Sequence, residues 1–82
     1  MDDESRLALI GIVITEPEST KAVNEILHAY ADYIIGRMGI PYKKKNLSVI
    51  SIAIDASTQI ISSLSGKLGM LSGVAVKTMY SK

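Results

Sequence analysis

A near-continuous apolar run, Arg6 to Ile14, places the strongest constraint on the fold of this 82-residue chain. The run ends at the polar segment Thr15 to Glu18, and its length and β-branched residues favour a strand over a helix. Its apolar residues fall on both faces of such a strand, whereas a strand with one face in water alternates apolar with polar residues. We therefore predict a central strand that is covered on both faces.

The segment after this strand predicts an amphipathic helix of about four turns. Pro17 blocks an earlier start, and Ser19 is suited to cap the helix. Apolar residues recur at spacings of three and four, at Val23, Ile26, Leu27, Tyr30 and Ile34. Polar residues occupy the opposite side, at Lys21, Glu25, His28 and Asp32.

The second half of the chain predicts two strands, a helix and a last strand. Residues 34–42 contain two glycines and a proline, which only an edge strand tolerates. After a lysine turn, residues 47–54 alternate, with Ile50, Ile52 and Ile54 on the core face. Ser57 is placed to cap a second helix that ends at Gly69, and Gly73 turns the chain into a strand over residues 74–80.

This order of elements, βαββαβ, predicts a single ferredoxin-like domain of class α+β over residues 1–82. Right-handed crossovers place both helices on one face of a four-stranded antiparallel sheet, with the first and third strands in the middle. The helices cover only one face, yet apolar residues of the first strand fall on both faces, with Leu7 and Leu9 on one and Ile10 and Ile12 on the other. In the third strand, Val49, Ser51 and Ala53 make the face away from the core small and mildly polar. An open apolar face is an interface by default, and the alternative is that the apolar residues are simply tolerated in water.

Self-association is also favoured by size. A chain of 82 residues buries on folding only about 60% of the surface that its unfolded chain exposes. Domains this small usually need a further stabilising element, and the chain contains no cysteine to form a disulfide. We expect a homo-oligomer, a dimer or a tetramer, at micromolar concentration. It would be built from the open face or from the edge strand over residues 34–42.

Charge and hydropathy exclude several partners. Residues 1–41 carry seven acids and three bases, and residues 42–82 carry one acid and six bases, which gives a net charge of +1. That balance lacks the large excess of positive charge that is typical of DNA-binding domains. We therefore expect no sequence-specific DNA binding by the chain alone. No apolar run is long enough to span a bilayer, and the acidic start is unlike a secretory signal, so we expect a cytoplasmic protein without membrane contact.

The sequence offers little for catalysis. His28 is the one histidine, and we interpret it as a solvent-facing partner of Glu25 and Asp32, with a metal ligand shared between subunits or core packing as alternatives. No nucleophile and base set can be built around it, and we predict neither enzyme activity nor a cofactor. The run Lys43 to Lys45 is more typical of a turn that keeps a sheet edge soluble than of a phosphate site. Lys67, between two glycines, is typical of helix capping.

The candidate site lies at Gly36, Arg37, Met38 and Gly39. Arg37 is an isolated charge in a glycine-rich, otherwise apolar strand, and the flanking glycines indicate close approach by a ligand or another chain. Arginine offers a bidentate fork to a carboxylate. Three roles stay open for Arg37: a pair across a subunit interface, a contact to a small anionic ligand there, or a charge that reaches solvent.

Three stretches, residues 23–28, 36–42 and 65–82, resemble the iron-only hydrogenase system regulator family, and the resemblance extends from Arg6 to Lys82. The family is similar in fold to ACT domains and to the C-terminal sensor of the nickel-responsive repressor. It occurs with the maturation genes of iron-only hydrogenase, and this association implies a regulatory role.

Three departures limit what this resemblance implies. Nickel binding of the repressor's type needs several histidines and a cysteine. This chain has one histidine and no cysteine, so we expect no nickel site of that type. The amino-acid-binding turn of ACT domains is matched at Glu16 and Pro17 without the glycine. We also expect no DNA-reading ribbon-helix-helix, because five residues precede the first strand. Two functions remain: an oligomeric, ligand-sensing regulatory module, or an oligomerisation scaffold for hydrogenase assembly that binds no small ligand.

Overall fold

The computed structural model describes residues 4–81 and confirms the predicted order of elements. The bounds are β1 (Arg6–Ile14), α1 (Thr20–Ala29), β2 (Ile34–Tyr42), β3 (Leu47–Ala56), α2 (Thr58–Gly69) and β4 (Val74–Tyr80). Three short 3-10 turns join them, at Pro17–Ser19, Ala31–Tyr33 and Lys43–Lys45. The sheet order is β2-β3-β1-β4 with every neighbouring pair antiparallel, so β1 and β3 are central, as predicted.

The core lies between the sheet and the two helices. Along β1 every second side chain is buried, and β3 contributes Ile50, Ile52 and Ile54, as the alternating pattern predicts. Each helix adds a buried stripe at helical spacing. The buried residues are Ala8, Ile10, Ile12, Ile14, Val23, Leu27, Ile50, Ile52, Ile54, Ala56, Ile61, Leu64 and Leu68.

Helix α1 is shorter than the sequence predicts. It ends at Ala29 after 10 residues, because the Tyr30 N–H turns back to the Leu27 carbonyl and a 3-10 turn follows. Ile34, which the periodicity places on the helix, is the first residue of β2 and still packs against the core.

The two helix starts differ in their capping. The Ser57 hydroxyl accepts a hydrogen bond from the Ile60 N–H at 3.3 Å, which confirms the predicted cap of α2. Ser19 does not cap α1 through its side chain; its hydroxyl donates to the Ser72 carbonyl at 2.6 Å instead.

Ser19 takes part in a network that ties the β1–α1 turn to the α2–β4 turn. The Thr15 N–H donates to the Gly73 carbonyl at 2.7 Å, and the Ser72 hydroxyl donates to a Glu16 carboxylate oxygen at 2.9 Å. Gly73 adopts a φ of 70°, a conformation that residues with a Cβ rarely take. These bonds connect two turns that lie more than 50 residues apart in the chain.

Candidate functional site

The four residues of the predicted site lie on β2 but divide between the two faces of the sheet. Arg37 pairs with Ile52 of the core, and so belongs to the helix side. Met38 pairs with Ser51, on the open side. Gly39 and Gly36 follow the same alternation, toward the helix side and the open side respectively. The four predicted residues therefore belong to two different surfaces.

The first surface, which we call the open face, consists of the side chains that point away from the helices. Leu9 is 45% exposed at its centre, and Met38 and Met79 are 59% and 61% exposed on the two edge strands. A β-bulge between Ile34 and Gly36 brings Ile35 to this face as well, where it lines an apolar pocket of about 290 Å³. The other apolar members are Leu7, Val13, Ile40, Tyr42, Leu47, Val49, Ala53 and Ala75.

Glycine occupies the middle of the open face. Gly11 of the central strand β1 pairs with Ser51 on one side and Lys77 on the other. A Cβ at this position would touch only the Lys77 carbonyl oxygen, at 4.0 Å, and a Cβ at Gly36 would touch nothing within 4 Å. Neither glycine has a positive φ. Within residues 4–81, crowding and backbone conformation therefore give no reason for glycine at either position.

The second surface is a groove between α1 and β2 with a volume of about 450 Å³. The Arg37 guanidinium lies at this groove and donates a hydrogen bond to the Asn24 side-chain oxygen at 2.5 Å. The groove is lined by Asn24, Leu27, His28, Ala31, Ile34 and Arg37. Arg37, His28 and Asn24 are exposed, whereas Leu27 is buried and Ile34 is half-buried. The groove therefore combines an apolar floor with one cation and two further polar groups at its rim.

His28 lies on the exposed side of α1, as predicted, but it also belongs to the groove. Its neighbours on the helix surface include Glu25, with which it borders a shallow depression over α1. In the described part of the chain, no group of three or more histidine, cysteine or acidic residues is arranged to hold a metal ion.

Lys77 belongs to the open face, whereas the lysine turn and Lys67 line neither the groove nor that face. Lys43 to Lys45 form an exposed 3-10 turn between β2 and β3, which ends at Asn46 in the left-handed conformation. Lys67 lies over the Tyr30 ring, with its Nζ 5.2 Å from the ring centre.

Tyr30 joins α1 to α2 in a way that the sequence pattern did not reveal. Its hydroxyl is 2.8 Å from the Ser63 hydroxyl, and this hydrogen bond together with the nearby Lys67 ammonium lowers the pKa of Tyr30. The helical spacing places Tyr30 in the core stripe, and the glycines around Lys67 indicate helix capping. Their contact was missed because it depends on how the helices pack. Asn24 was missed for the same reason.

Comparison with known proteins agrees with this fold and shows the family of the chain. The βαββαβ architecture, with an open sheet face and two helices on the other face, defines a ferredoxin-like domain of the ACT-like class. A family model described as "TM1266-like: Iron-only hydrogenase system regulator, putative" matches residues 6–78, and the chain belongs to this family. No curated protein matches the chain.

Three solved structures show how far the likeness extends. The uncharacterized protein TM1266 from Thermotoga maritima is 36% identical, with a TM-score of 0.93 over 96% of this chain and 100% of that chain. The C-terminal domain of the MgtC protein from Mycobacterium tuberculosis is 12% identical, with a TM-score of 0.75 over 99% and 93%. A formyltetrahydrofolate deformylase from Pseudomonas putida is 10% identical, with a TM-score of 0.64 over 89% of this chain and 28% of that chain. The last two share the fold alone.

Among residues 4–81, no helix has the length and apolar character needed to cross a membrane.

Proposed function

We propose that the chain is a non-enzymic, ligand-sensing regulatory module of the iron-only hydrogenase system, and that two copies associate through their open faces. The cytoplasm is its proposed location, and any contact with DNA is made by a partner protein rather than by this domain. The observation that carries the proposal is the apolar open face with Gly11 at its centre.

The size of the open face suits a dimer. Four strands spaced about 4.8 Å apart and nine residues rising about 3.3 Å each give a face of roughly 570 Å² in projection. Two such faces bury roughly 1,100 Å², above the approximately 1,000 Å² expected of a specific interface. The face is thus large enough to hold two copies together without help from another surface.

The composition of the open face suits a second copy of the same chain. The face carries one acid, Asp55, and one base, Lys77, so two copies bring no net charge together. Glycine at positions 11 and 36 lets another backbone approach closely. Such an approach would explain why these two positions are glycine, for which the single chain gives no reason. In an isologous dimer both copies contribute the same surface patch. The apolar residues that extend over all four strands form such a patch.

Thiol reactivity tests the proposal, because the chain contains no native cysteine. We expect a Met38→Cys variant to react with a bulky maleimide at least about tenfold more slowly at about 100 μM protein than at about 0.1 μM, since association covers the open face. A Met70→Cys variant is the control, because Met70 lies at the end of α2 and is 86% exposed. Equal reaction rates for Met38→Cys at both concentrations contradict the proposal.

A further inference from the structure

We propose that the groove between α1 and β2 binds a small carboxylate that carries a short apolar chain, with Arg37 binding the carboxylate and His28 as a second donor. This inference rests on the proposed function, because it names the class of ligand that the module senses. It stands on the groove, which lies on the opposite side of the sheet from the open face.

Arg37 is prepared for an anion. A guanidinium has five N–H donors in a planar fork, and among residues 4–81 Asn24 is its one hydrogen-bond partner. Asn24 accepts that bond with its side-chain oxygen and so holds the guanidinium at the rim of the groove. The donors left over match the two oxygens of a carboxylate, and a bidentate pair of this kind is stronger than a neutral hydrogen bond.

The rest of the groove selects the class of carboxylate. Its apolar lining consists of Leu27, Ala31 and Ile34. Leu27 is buried, so the apolar surface open to a ligand comes from the exposed Ala31 and the half-buried Ile34. A volume of about 450 Å³ is in the range of small-molecule sites, and it leaves room for an apolar chain behind the carboxylate. Inorganic phosphate lacks such a chain and would leave Ala31 and Ile34 in contact with water.

His28 supplies a second donor on the α1 side of the groove. Its imidazole lines the same groove as Arg37, and it comes from α1 whereas Arg37 comes from β2. Glu25 and Asp32 are the acids closest to His28 in the chain, but neither lines the groove. A ligand of this size that makes one charged contact is expected to bind with a Kd of about 1 mM.

Strand β2 connects this groove with the open face. Arg37 points to the groove, and its two neighbours Gly36 and Met38 belong to the open face. A ligand that fixes Arg37 therefore acts on the same strand that contributes to association, which is the physical route by which sensing would change the oligomer.

The test is a titration of isotopically labelled protein with 4-methylpentanoate. The chemical shifts of the backbone amides are measured by NMR at each ligand concentration. We expect saturable shifts centred on residues 24–37, at a Kd of about 1 mM. Arg37→Gln should weaken binding at least about tenfold, since the charged hydrogen bonds are lost. Lys44→Gln is the matched control; it removes an exposed cation outside the groove and should leave the Kd unchanged.

Three results overturn the inference. The first is equal binding of the neutral 4-methylpentanamide, which shares the apolar chain without the charge. The second is an unchanged Kd in Arg37→Gln, whose folding the same spectra verify. The third is tighter binding of inorganic phosphate than of 4-methylpentanoate. The Leu9→Arg variant, altered on the open face, should still bind the carboxylate, so a failure of dimerisation is distinguishable from a failure of this site.

Discussion

Replacing Gly73 with alanine is expected to lower the free energy of unfolding by about 3 kcal/mol. Gly73 has a φ of 70°, which is unfavourable for any residue with a Cβ. An added Cβ would also lie 2.5 Å from Glu16 Cγ and 2.7 Å from Glu16 Cβ. The β1–α1 turn must therefore shift, and that shift weakens the bonds that Thr15 and Glu16 make to the α2–β4 turn.

Urea denaturation at a fixed protein concentration measures this loss, and Gly66→Ala provides the control. Gly66 lies on the exposed side of α2 without a positive φ, and a Cβ added there would meet nothing within 4 Å. Alanine at this position should raise the free energy of unfolding by about 0.5–1 kcal/mol, because alanine is the better helix former. A Gly73→Ala protein as stable as the parent would show that the two turns are not rigidly tied.

Replacing Leu9 with arginine is expected to weaken self-association at least about 100-fold while the domain stays folded. Leu9 lies on the central strand β1, and it is 45% exposed in the single chain, so the longer side chain reaches water without entering the core. In the proposed dimer the same position is covered, and each copy would bury an unpaired guanidinium.

Met70→Arg is the matched control, since it places the same charge on an exposed methionine at the end of α2, away from the open face. Light scattering after size exclusion should give the parent mass for Met70→Arg and a single-chain mass for Leu9→Arg at the same concentration. Suppose that the parent has the mass of a dimer and that both variants keep this mass. The copies then associate through another surface, such as the edge of β2.

The architecture was predictable because it depends on periodicity. The alternation of Ile50, Ile52 and Ile54 and the cap at Ser57 each express a local rule, and the structure confirms both. The apolar run of β1 predicts a central strand covered on both faces; the strand is central, but in the single chain only the face toward the helices is buried. The end of α1 was not predictable in this way. Ile34 continues the helical spacing, and only the turn at Tyr30 shows that the chain has already left the helix.

The sequence places the four candidate site residues on one edge strand, but it does not show how their side chains are arranged. Two glycines around an isolated arginine marked residues 36–39, but adjacent strand residues point to opposite faces. The bulge between Ile34 and Gly36 adds Ile35 to the open face, and no sequence signal indicated it. The pairing of Arg37 with Asn24 depends on the packing of α1 over β2, so it emerged only from the three-dimensional arrangement.

Sedimentation equilibrium of the unmodified protein tests the central claim, that two copies associate through the open face, most directly. At micromolar concentration we expect a mass of at least twice the 8.8 kDa of one chain, and for Leu9→Arg a mass that returns toward 8.8 kDa. A mass of 8.8 kDa for the unmodified protein across the micromolar range would contradict it, because the open face would then be exposed to water.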